Sequence, residues 1–363
     1  MPRRLLARLW EMLWPPLAAL GLTFAVGAAI VAAIGENPLT VFALLFREGL
    51  ASPAGFSRVL YDATPLIFTG LSVAYAYRAG LFNIGGEGQL YMGAFAAALV
   101  CLALPGAPRI VLLPVAILAA AAGGGIWGAV PGILKARFGA HEVINTIMMN
   151  FLAVGITGWL VEHFLKEPGQ MIPHTRLIPE AAWLHPFAES RLGQALGLDA
   201  ASPLGPSLLL ALAAALLVWL LFRRSPEGYR MRAVGLSPSA ARYGGISAAA
   251  VTVRAMAVSG ALAGMVGVHE VLLTRHRFLD NFSSGLGFLG IAVALMGKNH
   301  PAGVVMAALL FGFLNTGALE IDIFTEVPRE LVMVLQALVI LFVVTIGELA
   351  ARRARRRRRE GSA

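Results

Sequence analysis

Residues 80–99, GLFNIGGEGQLYMGAFAAAL, set an asparagine, a glutamate and a glutamine among glycines inside an otherwise apolar stretch. Asn83, Glu87 and Gln89 carry groups that can hydrogen-bond a neutral polar solute. A carboxylate such as Glu87 is costly in hydrocarbon unless it is paired or wetted. Gly80, Gly85, Gly86, Gly88 and Gly93 allow a helix to break, to start late, or to pack closely on a neighbour. Two readings stand. In one, the polar groups face a wet cavity at a broken helix. In the other, Gly80 to Gly88 form a turn at the membrane edge and Glu87 occupies a first helical turn, where the dipole favours an acid.

A second polar cluster opens the stretch HEVINTIMMN, His141 to Asn150. On a helix Glu142, Thr146 and Asn150 drift by only about 40° per step, and Asn145 lies about 60° to the other side of Glu142. The four therefore share one stripe of an apolar helix. That stripe either lines a water-filled path or hydrogen-bonds to neighbouring helices.

The third stretch is a basic loop, RRSPEGYRMRAVGLSPSAARYGGIS. Ser237 followed by Pro238 forms an N-cap and first-turn pair, and Gly244 with Gly245 forms a natural stop. The spacing predicts a short helix over 237–245, either part of a plain connecting loop or, as its capped construction favours, a docking element for a cytoplasmic partner.

Composition sets the solvent in which these groups work. Of 363 residues 58% are hydrophobic and 13% charged, with a mean hydropathy of +0.75. That leaves too little polar surface to coat a soluble globule and predicts a bilayer protein. The single cysteine, Cys101, excludes an internal disulfide. No GxxxxGK[ST], HExxH or GxSxG occurs, and His, Cys and acids do not cluster at metal spacing, which argues against an enzyme.

Apolar runs near the ~20 residues that cross a bilayer predict ten spans, at 15–35, 59–78, 82–104, 110–131, 142–165, 204–222, 248–272, 286–299, 301–320 and 330–349. The expected class is an all-α polytopic membrane protein of about ten transmembrane helices. The start, MPRRLLARLW, reads as an uncleaved first helix, because its apolar core is too long for a signal peptide. The organisation is a basic terminus (1–14), a first half of five spans (15–165), a polar insert (166–203), a second half (204–349) carrying the basic loop 223–247, and a basic tail (350–363). Five is odd, so the halves are expected to be inverted repeats, and GQLYMGAFAAALV resembles GFLGIAVALMG. Arg3, Arg4, Arg8 and the tail RRARRRRR put both termini in the cytoplasm by the positive-inside rule. Acids including Glu167, Glu180, Glu189 and Glu326 then face outward. The +9 net charge is topogenic and implies no nucleic-acid partner.

AGLFNIGGEGQLYMGAFAAA, LKARFGAHEVINTIMMNFLA and GYRMRAVGLSPSAARYGGI, in this order, resemble the inner-membrane permeases of ABC importers for nucleosides. Those permeases belong to a wider family that includes ribose-type and branched-chain amino-acid permeases. The resemblance spans about residues 14–349; the Arg-rich tail falls outside it. It implies a transport subunit that works with a second permease copy or a different chain, a cytoplasmic ABC ATPase, and an extracytoplasmic solute-binding lipoprotein. No cofactor is expected in this chain; ATP and Mg belong to the ATPase. The resemblance makes 237–245 the coupling helix, with Arg232, Gly235, Ser237, Pro238, Ala240, Ala241, Arg242, Gly244 and Gly245 as coupling residues. It leaves Asn83, Glu87, Gln89, Glu142, Asn145, Thr146 and Asn150 as pathway residues. Alternatives are a permease for ribose or another simple sugar, and a proton- or sodium-coupled transporter using Glu87 or Glu142.

Overall fold

The computed structural model describes residues 2–190, 193, 199, 202–325, 327, 328 and 330–360. Glu326, much of the end of the insert, and tail residues 361–363 lie outside the described residues. The chain forms two compact units, one of residues 1–59 with 313–363 and one of residues 60–312.

In the first unit, α1 (Pro2–Ile34) packs along α13 (Glu330–Glu360). A side chain at Gly27 would collide with Leu335, so the glycine lets the two helices approach. The expected terminus 1–14 is not separate, because the helix runs through it from Pro2. Likewise α13 continues beyond 349 into the tail. A helix absent from the ten expected spans, α2 (Pro38–Phe46), starts at Asn37, whose Oδ1 accepts from the Leu39 amide at 2.9 Å, with Pro38 in the first turn. Phe24 meets Phe42 edge-on at 5.2 Å.

The second unit is a helical bundle: α3 (Pro53–Arg78, entering from the first unit), α4 (Gly86–Ala103), α5 (Arg109–Phe138), α6 (Glu142–Leu160), α7 (Ser207–Arg224), α8 (Pro226–Leu236), α9 (Pro238–Tyr243), α10 (Ala248–Gly264), α11 (Leu286–Met296) and α12 (Pro301–Phe324, leaving into the first unit). Wider π-type turns extend α6 to Leu165 and end the α10 segment at Arg275. Among the described residues, eight helices are long and apolar enough to cross a bilayer, and α1 adds the apolar stretch Ala18–Ile34. The all-α polytopic class is thus the observed one.

The core of this unit is made of close backbones. A Cβ on Gly264 of α10 would stand 2.3 Å from the Ala120 carbonyl of α5, and one on Gly124 of α5 would stand 2.3 Å from the Gly260 carbonyl. Small residues let helices approach until dispersion contacts replace the hydrophobic drive that lipid cannot supply. Gly93 of α4 meets Gly264 in the same way, so α4, α5 and α10 form one tight trio.

Several boundaries differ from the sequence expectation. α5 runs on to Phe138 rather than stopping at 131, since Pro131 is tolerated inside a membrane helix, and Gly139 at φ 68° closes it. The third span starts at Gly86, not 82. The eighth, expected over 286–299, ends at Met296 and Gly297. Its eleven residues rise about 16 Å, roughly half a bilayer core.

Two non-helical segments lead into α4 and α11. Residues 79–85 leave the end of α3, where Arg78 lies, and lead into α4. Residues 276–285 leave the other end, beyond Arg275, and lead into α11. The second is held by the insert. Thr175 donates to the Phe278 carbonyl (2.9 Å), Ile178 to the His276 carbonyl (2.9 Å), and Asp280 to the Pro173 carbonyl (3.0 Å). Leu184 donates to the Leu272 carbonyl at 2.7 Å. The described part of the insert is therefore a strap pairing its backbone with that of residues 272–280, whose polar groups would otherwise be left unsatisfied.

Candidate functional site at the junction of two broken helices

The polar groups of the NIGGEGQ stretch converge inside the bundle. Asn83 is fully buried, and its Nδ2 donates to Gln89 Oε1 and to Ser259 Oγ, both at 2.8 Å. Its Oδ1 accepts from the Gly85 amide (2.9 Å) and from Gln89 Nε2 (3.1 Å). Ser259 in turn donates to the Ser72 carbonyl at 2.7 Å. Ser259 lies eleven residues after Ala248, about 16 Å along α10, so Asn83 is deep in the bundle rather than at its edge.

The α6 stripe supports the same stretch. Asn150 Oδ1 accepts from the Gly88 amide at 2.8 Å, and its Nδ2 donates to the Ile84 carbonyl at 3.0 Å. Thr146 Oγ1 accepts from the Ile84 amide at 3.3 Å. Two side chains thus take up backbone groups that the break in the helix leaves free. At Gly88 nothing larger than hydrogen fits, because a Cβ would stand 2.9 Å from the Asn150 Cα and the Met149 carbonyl.

Glu87 points the other way. Its Oε2 accepts from the Gly287 amide in the first turn of α11 at 2.7 Å, with Ser283 and Gly285 beside this carboxylate. The N-termini of α4 and α11 therefore meet, and a Cβ on Gly287 would fall 2.2 Å from the Glu87 nitrogen. One carboxylate between two positive helix ends is electrostatically favoured there. Above it, Tyr91 packs on Phe282 at 4.8 Å, closing the side toward the strap.

Of the seven residues singled out in the sequence, Asn83, Gln89, Thr146 and Asn150 are brought together, and Glu87 adjoins them through α4. Glu142 is not part of this network. It pairs with Lys135 Nζ at 2.6 Å, joining the end of α5 to the start of α6. Asn145 also stands apart, with its buried Nδ2 unpartnered. Ser72, Ser259, Ser283 and Gly287 were not singled out. Their signal is a lone serine or glycine in an apolar run, indistinguishable by sequence from ordinary packing. A further buried cluster was missed as well: Glu270 pairs with Arg275 at 3.0 Å, and His269 Nδ1 meets Ser207 Oγ at 3.0 Å.

The basic loop folds as its residues demand. Ser237 Oγ accepts from the Ala240 amide at 3.3 Å, Pro238 opens α9, and Gly244 with Gly245 (φ 76°) ends it. Ala241 is buried, whereas Pro238, Ala240, Arg242, Gly244 and Gly245 are exposed. Arg232 donates to the Phe222 carbonyl, tying α8 to α7. Gly235 lies against the α3 end, where a Cβ would stand 2.8 Å from the Arg78 carbonyl and 3.1 Å from the Gly80 nitrogen. The loop thus touches the same extended chain, 79–85, that leads to Asn83.

Comparison with known proteins follows this geometry. Residues 55–344 match the family described as branched-chain amino acid transport system / permease component. The chain is 40% identical over 332 residues to the guanosine ABC transporter permease protein NupP of Bacillus subtilis, covering 91% of this chain and 92% of that protein. It is 35% identical over 329 residues to the nucleoside ABC transporter permease protein NupB of Lactococcus lactis, covering 90% and 89%. It is 33% identical over 345 residues to the glucose ABC transporter permease protein TsgB13 of Haloferax volcanii, covering 95% and 90%.

Proposed function

This chain belongs to the family of branched-chain amino acid transport system permease components, and from that premise we propose that it forms the membrane passage of an ABC importer for nucleosides. The observation that carries the substrate class is the 40% identity, over nine-tenths of both chains, to a guanosine permease. A simple sugar is the second reading, favoured by the 33% identity to a glucose permease.

In this reading the basic end, with Arg78, Lys135, Arg137, Arg223 and Arg224, faces the cytoplasm. A separate ATPase binds ATP and Mg there and receives α9 in a groove; this chain supplies no nucleotide site. A second permease subunit completes the passage, and a solute-binding lipoprotein delivers the nucleoside from outside. Movement of α9 passes through Gly235 to the chain 79–85 and so to the junction of α4 and α11. Asn83, Gln89, Thr146 and Asn150 hold the broken helix in shape, because their polar groups are engaged by protein. Glu87 joins the start of α4 to that of the short α11. Asn145 stands outside this network, its buried Nδ2 without a partner among the described residues.

The test is the ATP hydrolysis rate of the reconstituted complex with loaded binding protein. Stimulation by guanosine or uridine but not by glucose or ribose supports the nucleoside reading. Stimulation by sugars alone moves the substrate class, and no response to any solute contradicts the importer.

A further inference from the structure

At the basic end of the second unit two adjoining recesses have cationic walls. One, of about 430 Å³, is lined by Arg78, Arg223, Arg232 and Lys298 together with Trp219 and Phe222. The other, of about 300 Å³, shares Arg78, Arg232 and Lys298 and adds Tyr77. Among the described residues no carboxylate lines either recess. Among the described residues none of these four cations forms an ion pair, while Arg230 and Arg254 nearby share Glu227.

Aromatic faces rather than acids position the guanidinium groups. Arg78 lies over the Phe222 ring and Arg223 over the Trp219 ring, each 5.3 Å from the ring centre. Stacking of this kind leaves the N–H edges of Arg78 and Arg223 available. Lys298 is presented by a tight turn in which it and Asn299 both sit at φ 53°. Like charges gathered around one recess repel, and an anion relieves that repulsion.

Depth identifies the source of the anion. α3 ends at Arg78, α7 ends at Arg224, and α12 begins at Pro301, so the recess sits where three membrane-crossing helices reach the bilayer rim. Trp219 and Tyr77 are residue types that settle at that rim. A phosphate on a glycerol backbone matches a cationic recess with an aromatic wall at headgroup depth. We propose that this recess binds the phosphate of an anionic glycerophospholipid headgroup. Since Arg78 is also where Gly235 makes its close approach, the bound lipid braces the joint between α8 and the chain 79–85.

Native mass spectrometry of the purified full chain, offered phosphatidylglycerol or phosphatidylcholine, reads this directly. Wild type should retain phosphatidylglycerol in preference, and excess inorganic phosphate should not displace it. The R223Q/K298Q double variant should lose the preference by roughly 30-fold, each basic side chain near an anionic surface being worth about a factor of five. Arg137→Gln, exposed but outside both recesses, should keep the wild-type preference. A melting curve equal to wild type in zwitterionic detergent confirms that the double variant is folded, and the single variants R223Q and K298Q replace it if it is not. Equal retention of both lipids by wild type, or an unchanged preference in the folded variants, overturns the proposal. So does full displacement by inorganic phosphate, or a loss in the variants only of ATPase association, which would assign the recess to a free anion or to a partner carboxylate.

Discussion

Glu87 accepts a hydrogen bond from the Gly287 amide at 2.7 Å, across 200 residues of sequence. Each residue stands in the first turn of a helix that a non-helical segment leads into. The bond therefore fixes where the starts of α4 and the short α11 meet.

Glu87→Ala removes the acceptor and leaves the Gly287 amide buried without a partner. Hydrogen bonds to charged groups are worth roughly 1.5–3 kcal/mol, so a loss of about 2 kcal/mol is expected. Glu87→Gln keeps an acceptor oxygen and should lose less than half of that. Thermal melts of the two variants in one detergent compare them, and equal losses would contradict the geometry.

Gly264→Ala places a methyl group 2.3 Å from the Ala120 carbonyl in the trio of α4, α5 and α10. Overpacking of this kind costs about 1–3 kcal/mol. Gly155 of α6 has open space around its Cβ position, so Gly155→Ala should melt at or above wild type.

Ala240 is exposed and Ala241 buried in the same short helix. Ala240→Arg should leave the stability within about 0.5 kcal/mol of wild type while lowering nucleoside-stimulated ATP hydrolysis severalfold. Ala241→Trp should destabilise the loop itself. Normal coupling in a folded Ala240→Arg complex would remove α9 from the docking role.

His276 stacks on Trp183 with ring centres 4.0 Å apart, at the edge of the strap. Burial, and then neighbouring His185, push its pKa below the usual histidine value, with the Leu272 backbone and Glu189 opposing. The neutral ring is thus favoured when folded, and the unfolded chain takes up the proton first. The contribution of His276 is present above the unfolded pKa, near 6.5, and declines as pH falls toward the lower folded value. Hydrogen exchange of amides 175–184 should quicken from pH 7 to pH 5. His276→Asn, which tolerates the left-handed φ of 53°, should flatten that dependence.

Much of this arrangement was legible in the sequence because lipid leaves few choices. Glycines beside Asn83, Glu87 and Gln89 marked either a broken helix or a turn with Glu87 in a first helical turn, and Glu87 stands in the first turn of α4; Ser237-Pro238 with Gly244-Gly245 marked both ends of α9. The partners were not legible. Gly287 lies 200 residues from Glu87, and Ser259 is one hydroxyl in a run of small residues, so neither has a local pattern. Glu142 does share the buried stripe of α6 with Thr146 and Asn150, but periodicity reports a face and not its neighbour, which is Lys135. The strap was missed because isolated backbone pairing between residues 166–184 and 272–280 has no side-chain signature. The eighth span was already read as short, at 286–299, and α11 is shorter still because the helix stops at Gly297.

Uptake of labelled guanosine and uridine into proteoliposomes holding this chain with its second permease, ATPase and binding lipoprotein is the most direct measurement. Uptake that requires ATP on the ATPase side, and that guanosine and uridine compete for but glucose does not, is the expected result. Uptake that persists without ATP, or that moves glucose and no nucleoside, would contradict the assignment.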